Sequence, residues 1–364
     1  MRIAAVDVFE MTVPFSDGAE KLGAPPGRWL AFETVLVRVT TADGLTGWGE
    51  AFAYGCQASV AAAVRSMVSP LLIGRDASDP AALTLDLQRK LHIFGRYGIT
   101  LFAISGADIA LWDLRAKAEG VSLASLVGER QRDSVPSYAS LVRYGRPDLV
   151  ERFAAQAVAE GYRSVKLHEI DMDAIRAGRR GAGQNTHLTV DANCAWSLEQ
   201  ARVLLPQFEE VQLGWLEEPL FPPEDFDALT ELASGGQVAI AAGENACTRY
   251  EFARLIRSGV TFPQPSVTKV GGVTEFTAVL REAASAGKTC MPHSPYFGPG
   301  YLATVQLLAV APGEPFLETL YVTSAGIAGL RTALPCGGAM EISTGPGIGF
   351  EPDWEVFERF AVKP

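Results

Sequence analysis

Three acidic residues recur at the ends of short apolar runs: Asp191 in LTVDAN, Glu217 in GWLEEP and Glu244 in AIAAGEN. Brought within a few ångströms of one another, they would repel strongly unless a cation neutralised them. Oxygen-only ligation suits a hard divalent ion, Mg²⁺ first, with Mn²⁺ as a tolerable substitute. Any one of the acids reads equally well as a cap for the helix that follows it. The spaced trio is what predicts a metal site.

Lys166 and His168 lie two apart in SVKLHE and so share one face of a strand. His293 follows in TCMPHSP and Glu318 in FLETLY. A divalent ion on a substrate carboxylate makes the adjacent α proton removable, because the charge that develops on the carboxylate is stabilised as it forms. Lys166 adds positive charge there, and Glu318, if protonated, adds a hydrogen bond. With the metal strands between them, His168 and His293 are expected to approach a substrate from opposite faces, one taking a proton and the other delivering one. His92, in a helical region, and His187, at the start of a strand, are read as structural.

Residues so far apart need elements that gather them. The strand-end positions His168, Asp191, Glu217, Glu244, Ser266, His293 and Glu318 are spaced 23, 26, 27, 22, 27 and 25 residues apart. That recurrence fits one strand, one helix and two short loops. Strands alternating with helices imply a parallel sheet, and enough such units close into a barrel with its chemistry at the C-terminal strand ends. Counting from SVPSYAS to FLETLY predicts seven or eight units. Ahead of them, RIAAVDVFEMTV, WLAFETVLVRVTT and LTGWGEAF read as strands, with a hairpin turn at Asp43-Gly44. Helical spacing follows from Ser59 to about Leu126, and ISGADIALWDLRAKAEG stops at Gly120. The expected fold is α/β, a modified (β/α) barrel with an α+β capping domain. The expected divisions are 1–126 for the cap, 127–339 for the barrel and 340–364 for a tail returning to the cap.

Composition narrows the function further. The 364 residues are 48% hydrophobic and 20% charged, with no low-complexity tract, so a packed globular chain is expected. A net charge of -11 and a pI near 5.0 disfavour nucleic acid as a partner. The acidic residues in MRIAAVDVFEMTV interrupt any signal core, and no apolar run is long enough to span a membrane. A soluble, cytoplasmic protein is therefore expected. Cys56, Cys194, Cys247, Cys290 and Cys336 are scattered and never paired as CxxC, which predicts buried free thiols. No GxSxG, GxxxxGK[ST] or HExxH pattern occurs, and GPGIGF reads as a turn.

The motifs FAISGADIALWDLRAKAEG with SLASLVG, VKLH, VDAN, WLEEP, GEN, TKVGG and PHS stand in an order and spacing that resemble the enolase superfamily, within its mandelate racemase and muconate lactonizing enzyme group. The resemblance covers essentially the whole chain. It implies a cap built from both chain ends over a modified barrel, Mg²⁺ on Asp191, Glu217 and Glu244, and Asn193 and Glu218 as companions at the site. It also implies a small-molecule carboxylate substrate and assembly into homo-oligomers. The segment from about Phe15 to Trp29, with PPGRW, resembles the loop that closes over substrate in this group. Asn193, Ser266, Ser294 and Trp29 are the substrate contacts expected on this basis.

Two departures stand out. Relatives commonly carry Lys-x-Lys on the second strand, whereas this chain has Lys166-Leu167-His168, so the base position is histidine. Relatives of the mandelate racemase type pair the strand-seven histidine with an aspartate on strand six, where this chain has Ser266. Lys269, three residues on, is expected to face away, since strand residues alternate sides. The readings left open are a lyase that dehydrates a sugar acid or related hydroxy acid, a racemase or epimerase, and a non-catalytic carboxylate binder.

Overall fold

The computed structural model describes residues 1–22, 29–236, 238–324, 335 and 337–362. β1 (Ile3–Ser16), β2 (Ala31–Thr41) and β3 (Thr46–Phe52) form an antiparallel sheet in that order. The β2–β3 hairpin turns at Asp43-Gly44, where Gly44 has φ 89°. The helix Gly98–Glu119 lies directly on this sheet and ends at Gly120, in the left-handed region that glycine adopts without strain. Glycines also permit that packing: a Cβ added at Gly49 would sit 1.9 Å from the carbonyl oxygen of Gly106 on the helix.

The barrel strands are β4 (Ser134–Ser140), β5 (Ser164–Leu167), β6 (His187–Asp191), β7 (Leu213–Glu217), β8 (Ile240–Ala242), β9 (Phe262–Pro263) and β10 (Leu317–Leu320). They are parallel, with β10 beside β4 and the rest in sequence order. The eighth place, between β9 and β10, is taken by extended chain without a strand ladder. There the Met291 N–H donates to the carbonyl of Pro263 and the Ser294 N–H to the Glu318 carboxylate. The expected strand at TCMPHSP is therefore replaced by a segment tied to its neighbours at single points. Likewise, β9 stops at Pro263, and Ser266 and Lys269 lie in the turn beyond it, where the Lys269 N–H donates to the Ser266 carbonyl.

After β10 the chain touches the first sheet once and then rejoins the barrel. β11 (Thr323–Ser324) pairs with the end of β1, and β12 (Ala339–Glu341) pairs with the start of β4. The helix Trp354–Phe360 packs Phe357 edge-on against Phe9 and Trp354 against Trp48. The divisions expected at 126/127 and 339/340 fall inside the helix Leu123–Val127 and inside β12. Among the described residues no helix is long and apolar enough to cross a membrane. Cys247 and Cys290 are buried free thiols, Cys56 and Cys194 are free but only half-buried, and Cys336 lies outside the described residues.

Candidate active site

Parallel strands in register bring their last residues to one rim. Asp191 pairs with Glu217 across β6 and β7, and Glu244 follows two residues after β8. Carboxylate oxygens of the three lie within 4.8 Å of one another. Asp191 Oδ2 is buried and accepts no well-formed hydrogen bond from the described residues; Lys166 Nζ stands 3.5 Å away and His168 Nε2 3.3 Å. An orphaned buried oxygen inside a ring of acids fits a hard divalent ion.

Electrostatics agree with that fit. Burial raises the Glu217 carboxyl well above the ordinary range, and the charges of Asp191 and Glu318 add to the effect against Lys166. Burial also works to raise Asp191 and Glu244, but Lys166 and His168 hold the first low, and His293, 2.9 Å from Glu244 Oε2, holds the second at about 2. Of the three acids, Glu217 is the one whose surroundings oppose its charge.

Lys166 is fully buried, 2.7 Å from Glu217 Oε1 and 2.7 Å from Glu318 Oε1, and although burial disfavours its charge these anions keep it an ammonium. Glu318 does not play the donor role expected of a protonated acid. Despite burial its pKa is lowered by Lys166, and it accepts from Lys166 and the Ser140 hydroxyl on one oxygen and from the Ser294 N–H on the other. It anchors the lysine. Glu218, pushed up to about 7 chiefly by burial and then by Glu244, accepts from the Gly243 N–H behind the trio.

Above the acids opens a cavity of about 600 Å³, lined among others by His168, His293, Glu244, Asn193 and Trp29. Both histidines therefore face one space. Asn193, held with φ 47°, donates its N–H to Asp191 Oδ1 and accepts from Arg143 on its side-chain oxygen. Trp29 closes the cap side, ring to ring with Phe15 and Tyr54, and its indole N–H has no acceptor among the described residues. The remainder of the expected closing loop, residues 23–28, lies outside the described residues.

Two expected substrate contacts do not line this cavity. Ser294 donates its hydroxyl to the Glu318 carbonyl, and Ser266 hydrogen-bonds the Tyr296 hydroxyl, so both are buried behind the wall. Lys269, expected to face away, instead lines the cavity with its ammonium 4.9 Å from the Phe52 ring centroid. The alternation argument fails there because the chain has already left the strand. His92 caps a short exposed turn, and His187 stacks on Phe316 below the rim.

Arg143, Tyr296 and Tyr54 also line the cavity and were not anticipated. Arg143 had a signal: it stands 25 residues before His168, one repeat earlier, at the end of the first barrel strand. Its guanidinium donates to the His168 carbonyl and to Asn193.

A barrel with three acids, a buried lysine and two histidines on one rim defines a metal-assisted enzyme acting next to a carboxylate. The chain belongs to the enolase superfamily, in its mandelate racemase/muconate lactonizing enzyme group. Residues 149–356 match the Enolase C-terminal domain-like family, and residues 30–128 match the Mandelate racemase / muconate lactonizing enzyme N-terminal domain. It is 31% identical over 348 residues to the D-galactarolactone cycloisomerase of Agrobacterium fabrum, covering 90% of each chain. It is 29% identical over 296 residues to the arabinonate dehydratase of Saccharolobus solfataricus, covering 79% of each. The L-talarate dehydratase of Polaromonas sp. JS666, solved with Mg and L-glucarate, superposes with a TM-score of 0.84 at 29% identity, over 100% of this chain and 98% of that one. The chain is thus an enzyme of a group that contains lyases and isomerases.

Proposed function

We propose that this chain is a cytoplasmic, Mg²⁺-dependent dehydratase of a sugar acid or related polyhydroxy acid. The observation that carries the reading is the placement of His168 and His293 on one cavity, directly above the Asp191, Glu217 and Glu244 cluster. Those three acids would hold the ion. When bound, it would supply positive charge to the substrate carboxylate and stabilise the enediolate that forms once the α proton leaves.

The chain's own residues would do the rest. The Nδ1 of His168 is 2.5 Å from the carbonyl oxygen of Leu141, which can only accept, so in the neutral ring Nδ1 carries the proton and Nε2, 3.3 Å from Asp191 Oδ2, has the lone pair to take the α proton. Lys166, fixed by Glu217 and Glu318, offers a permanent positive charge beside the substrate carboxylate. Across the cavity, His293 assists departure of the β-hydroxyl. Arg143 and Lys269 supply cations for further oxygens of a polar acid.

Similarity to a cycloisomerase at 31% identity favours a second reading. The same α-proton removal expels a β-oxygen, but that oxygen is tethered in a ring and no water is lost. Incubating the Mg²⁺-loaded protein with a panel of aldonic, aldaric and lactone acids in D₂O separates the outcomes. Release of water with a 2-oxo-3-deoxy product supports the dehydratase, and ring opening without water loss supports the cycloisomerase. Deuterated substrate of inverted configuration indicates a racemase. Binding without any exchange, unaffected by His168→Ala, returns the chain to a non-catalytic binder. Homo-oligomeric assembly belongs to the same proposal, and light scattering tests it.

A further inference from the structure

We infer that Tyr296, held by Ser266, is a positioning residue that keeps a proton on Nε2 of His293, so that His293 meets substrate as a hydrogen-bond donor and His168 alone removes the α proton. The inference rests on the function proposed above.

The two histidines have Nδ1 partners of opposite character. For His168 the partner is the carbonyl of Leu141, an acceptor, which forces Nδ1–H and leaves Nε2 basic. For His293 it is the Tyr296 hydroxyl, 3.1 Å from Nδ1, with the rings at 81°. That hydroxyl is hydrogen-bonded on its other side to Ser266 Oγ, which in turn lies 3.4 Å from Thr268 Oγ1.

Along this buried chain of hydroxyls, burial holds the Tyr296 phenol well above its ordinary range, so it keeps an O–H to donate, and the most basic acceptor beside it is the imidazole nitrogen. The phenol O–H therefore donates to Nδ1, and the serine hydroxyl donates to the phenol oxygen. The proton of the neutral ring is left on Nε2.

A carboxylate at position 266 would act in the opposite sense. It can only accept, so it would demand Nδ1–H and turn Nε2 into a base. Two bases on opposite faces permit the α carbon to invert, whereas one base facing one donor favours loss of a β-oxygen. A neutral imidazole held as donor is an established electrophile. The hydroxyl pair thus leaves the site with a single base.

Tautomers can be read without knowing the substrate. The Mg²⁺-loaded protein, labelled with ¹⁵N-histidine, is examined by long-range ¹H–¹⁵N correlation at mildly alkaline pH, and His293→Asn identifies one signal among the four histidines. A proton on Nε2 of His293 supports the inference, and a bare Nε2 overturns it. Tyr296→Phe, which keeps the ring, should lose this preference while the other three histidines report an intact fold. Adding Ser266→Asp to Tyr296→Phe should drive His293 to Nδ1–H. An unchanged tautomer in Tyr296→Phe overturns the role of Tyr296 itself.

On an acid identified by the exchange panel, Tyr296→Phe should lower kcat roughly 10- to 100-fold with KM nearly unchanged, as for other orienting partners. The proposed function fails separately, if His168→Asn still exchanges the α proton. That result would leave the tautomer of His293 to be judged on its own spectrum.

Discussion

Lys166 Nζ lies 2.7 Å from Glu318 Oε1, and neither side chain reaches solvent. The pair places a permanent charge beside the acidic trio without a flexible stem to be ordered when substrate arrives. Removing one partner of such a pair leaves the other buried and uncompensated.

Lys166→Met is accordingly expected to destabilise the metal-free protein by about 3–5 kcal/mol. Added Mg²⁺ should recover part of that loss by neutralising the same acids. α-Proton exchange should fall by about 10²- to 10³-fold, as when a charge-stabilising donor is removed from other active sites. Denaturant melts with and without Mg²⁺ check the first two effects. A variant as stable as the parent would show that Lys166 does not balance these carboxylates.

Magnesium binding should release protons. Burial, and then the charges of Asp191 and Glu318, make Glu217 hold its proton more tightly than an ordinary glutamate, and a divalent ion competes with that proton. Apparent affinity should therefore climb with pH until the site is fully ionised. Calorimetry in two buffers of different ionisation enthalpy counts the protons. In Asp191→Asn the binding itself should be lost, and no rise in melting temperature with Mg²⁺ should remain.

Arg143 bridges the His168 carbonyl and the Asn193 side chain at the cavity wall. Arg143→Ala should raise KM about 10-fold or more, the size of a charged hydrogen bond of about 1.5–3 kcal/mol. Steady-state kinetics decide the matter. An unchanged KM with reduced kcat would instead mean that Arg143 acts by holding His168.

Glu50 tests the seam between cap and barrel. It is fully buried and accepts from the Thr34 hydroxyl and from the Gly300 N–H at the start of the helix Pro299–Val310, and burial raises it to about 7. A carboxyl raised on folding holds its proton more tightly in the folded state. Its contribution is complete below about pH 4.5 and is lost as pH climbs through about 7. Glu50→Gln should flatten that decline, by at most about 3 kcal/mol across the window. Chemical denaturation at pH 5 and pH 8 measures it, and parallel curves for parent and variant would refute the assignment.

Much of this architecture was legible in the chain because it is periodic. Asp191, Glu217 and Glu244 recur at barrel spacing, and one repeat of a parallel barrel can only return its strand end to the same rim. The helix up to Gly120 and the Asp43-Gly44 hairpin were legible for local reasons, since left-handed glycine marks both. Extending the same period backwards would also have found Arg143.

What escaped lies where the period breaks. Beyond Pro263 the chain turns rather than continuing as a strand, so Lys269 faces the cavity, and the segment carrying His293 has no ladder to set its side chains. Ser266 and Ser294 stood at the expected places in the chain, yet their hydroxyls point to Tyr296 and Glu318.

The amino-acid sequence by itself determined the barrel, the cap and the trio of acids, because hydrophobic period and strand-end chemistry are local properties repeated along the chain. Only the tertiary structure decided that Glu318 accepts rather than donates, that Lys269 turns inward and that Tyr296 stands behind His293. Each of those depends on which polar atoms meet across different strands, and hydrogen-bond direction is set by the partner, not by the residue alone.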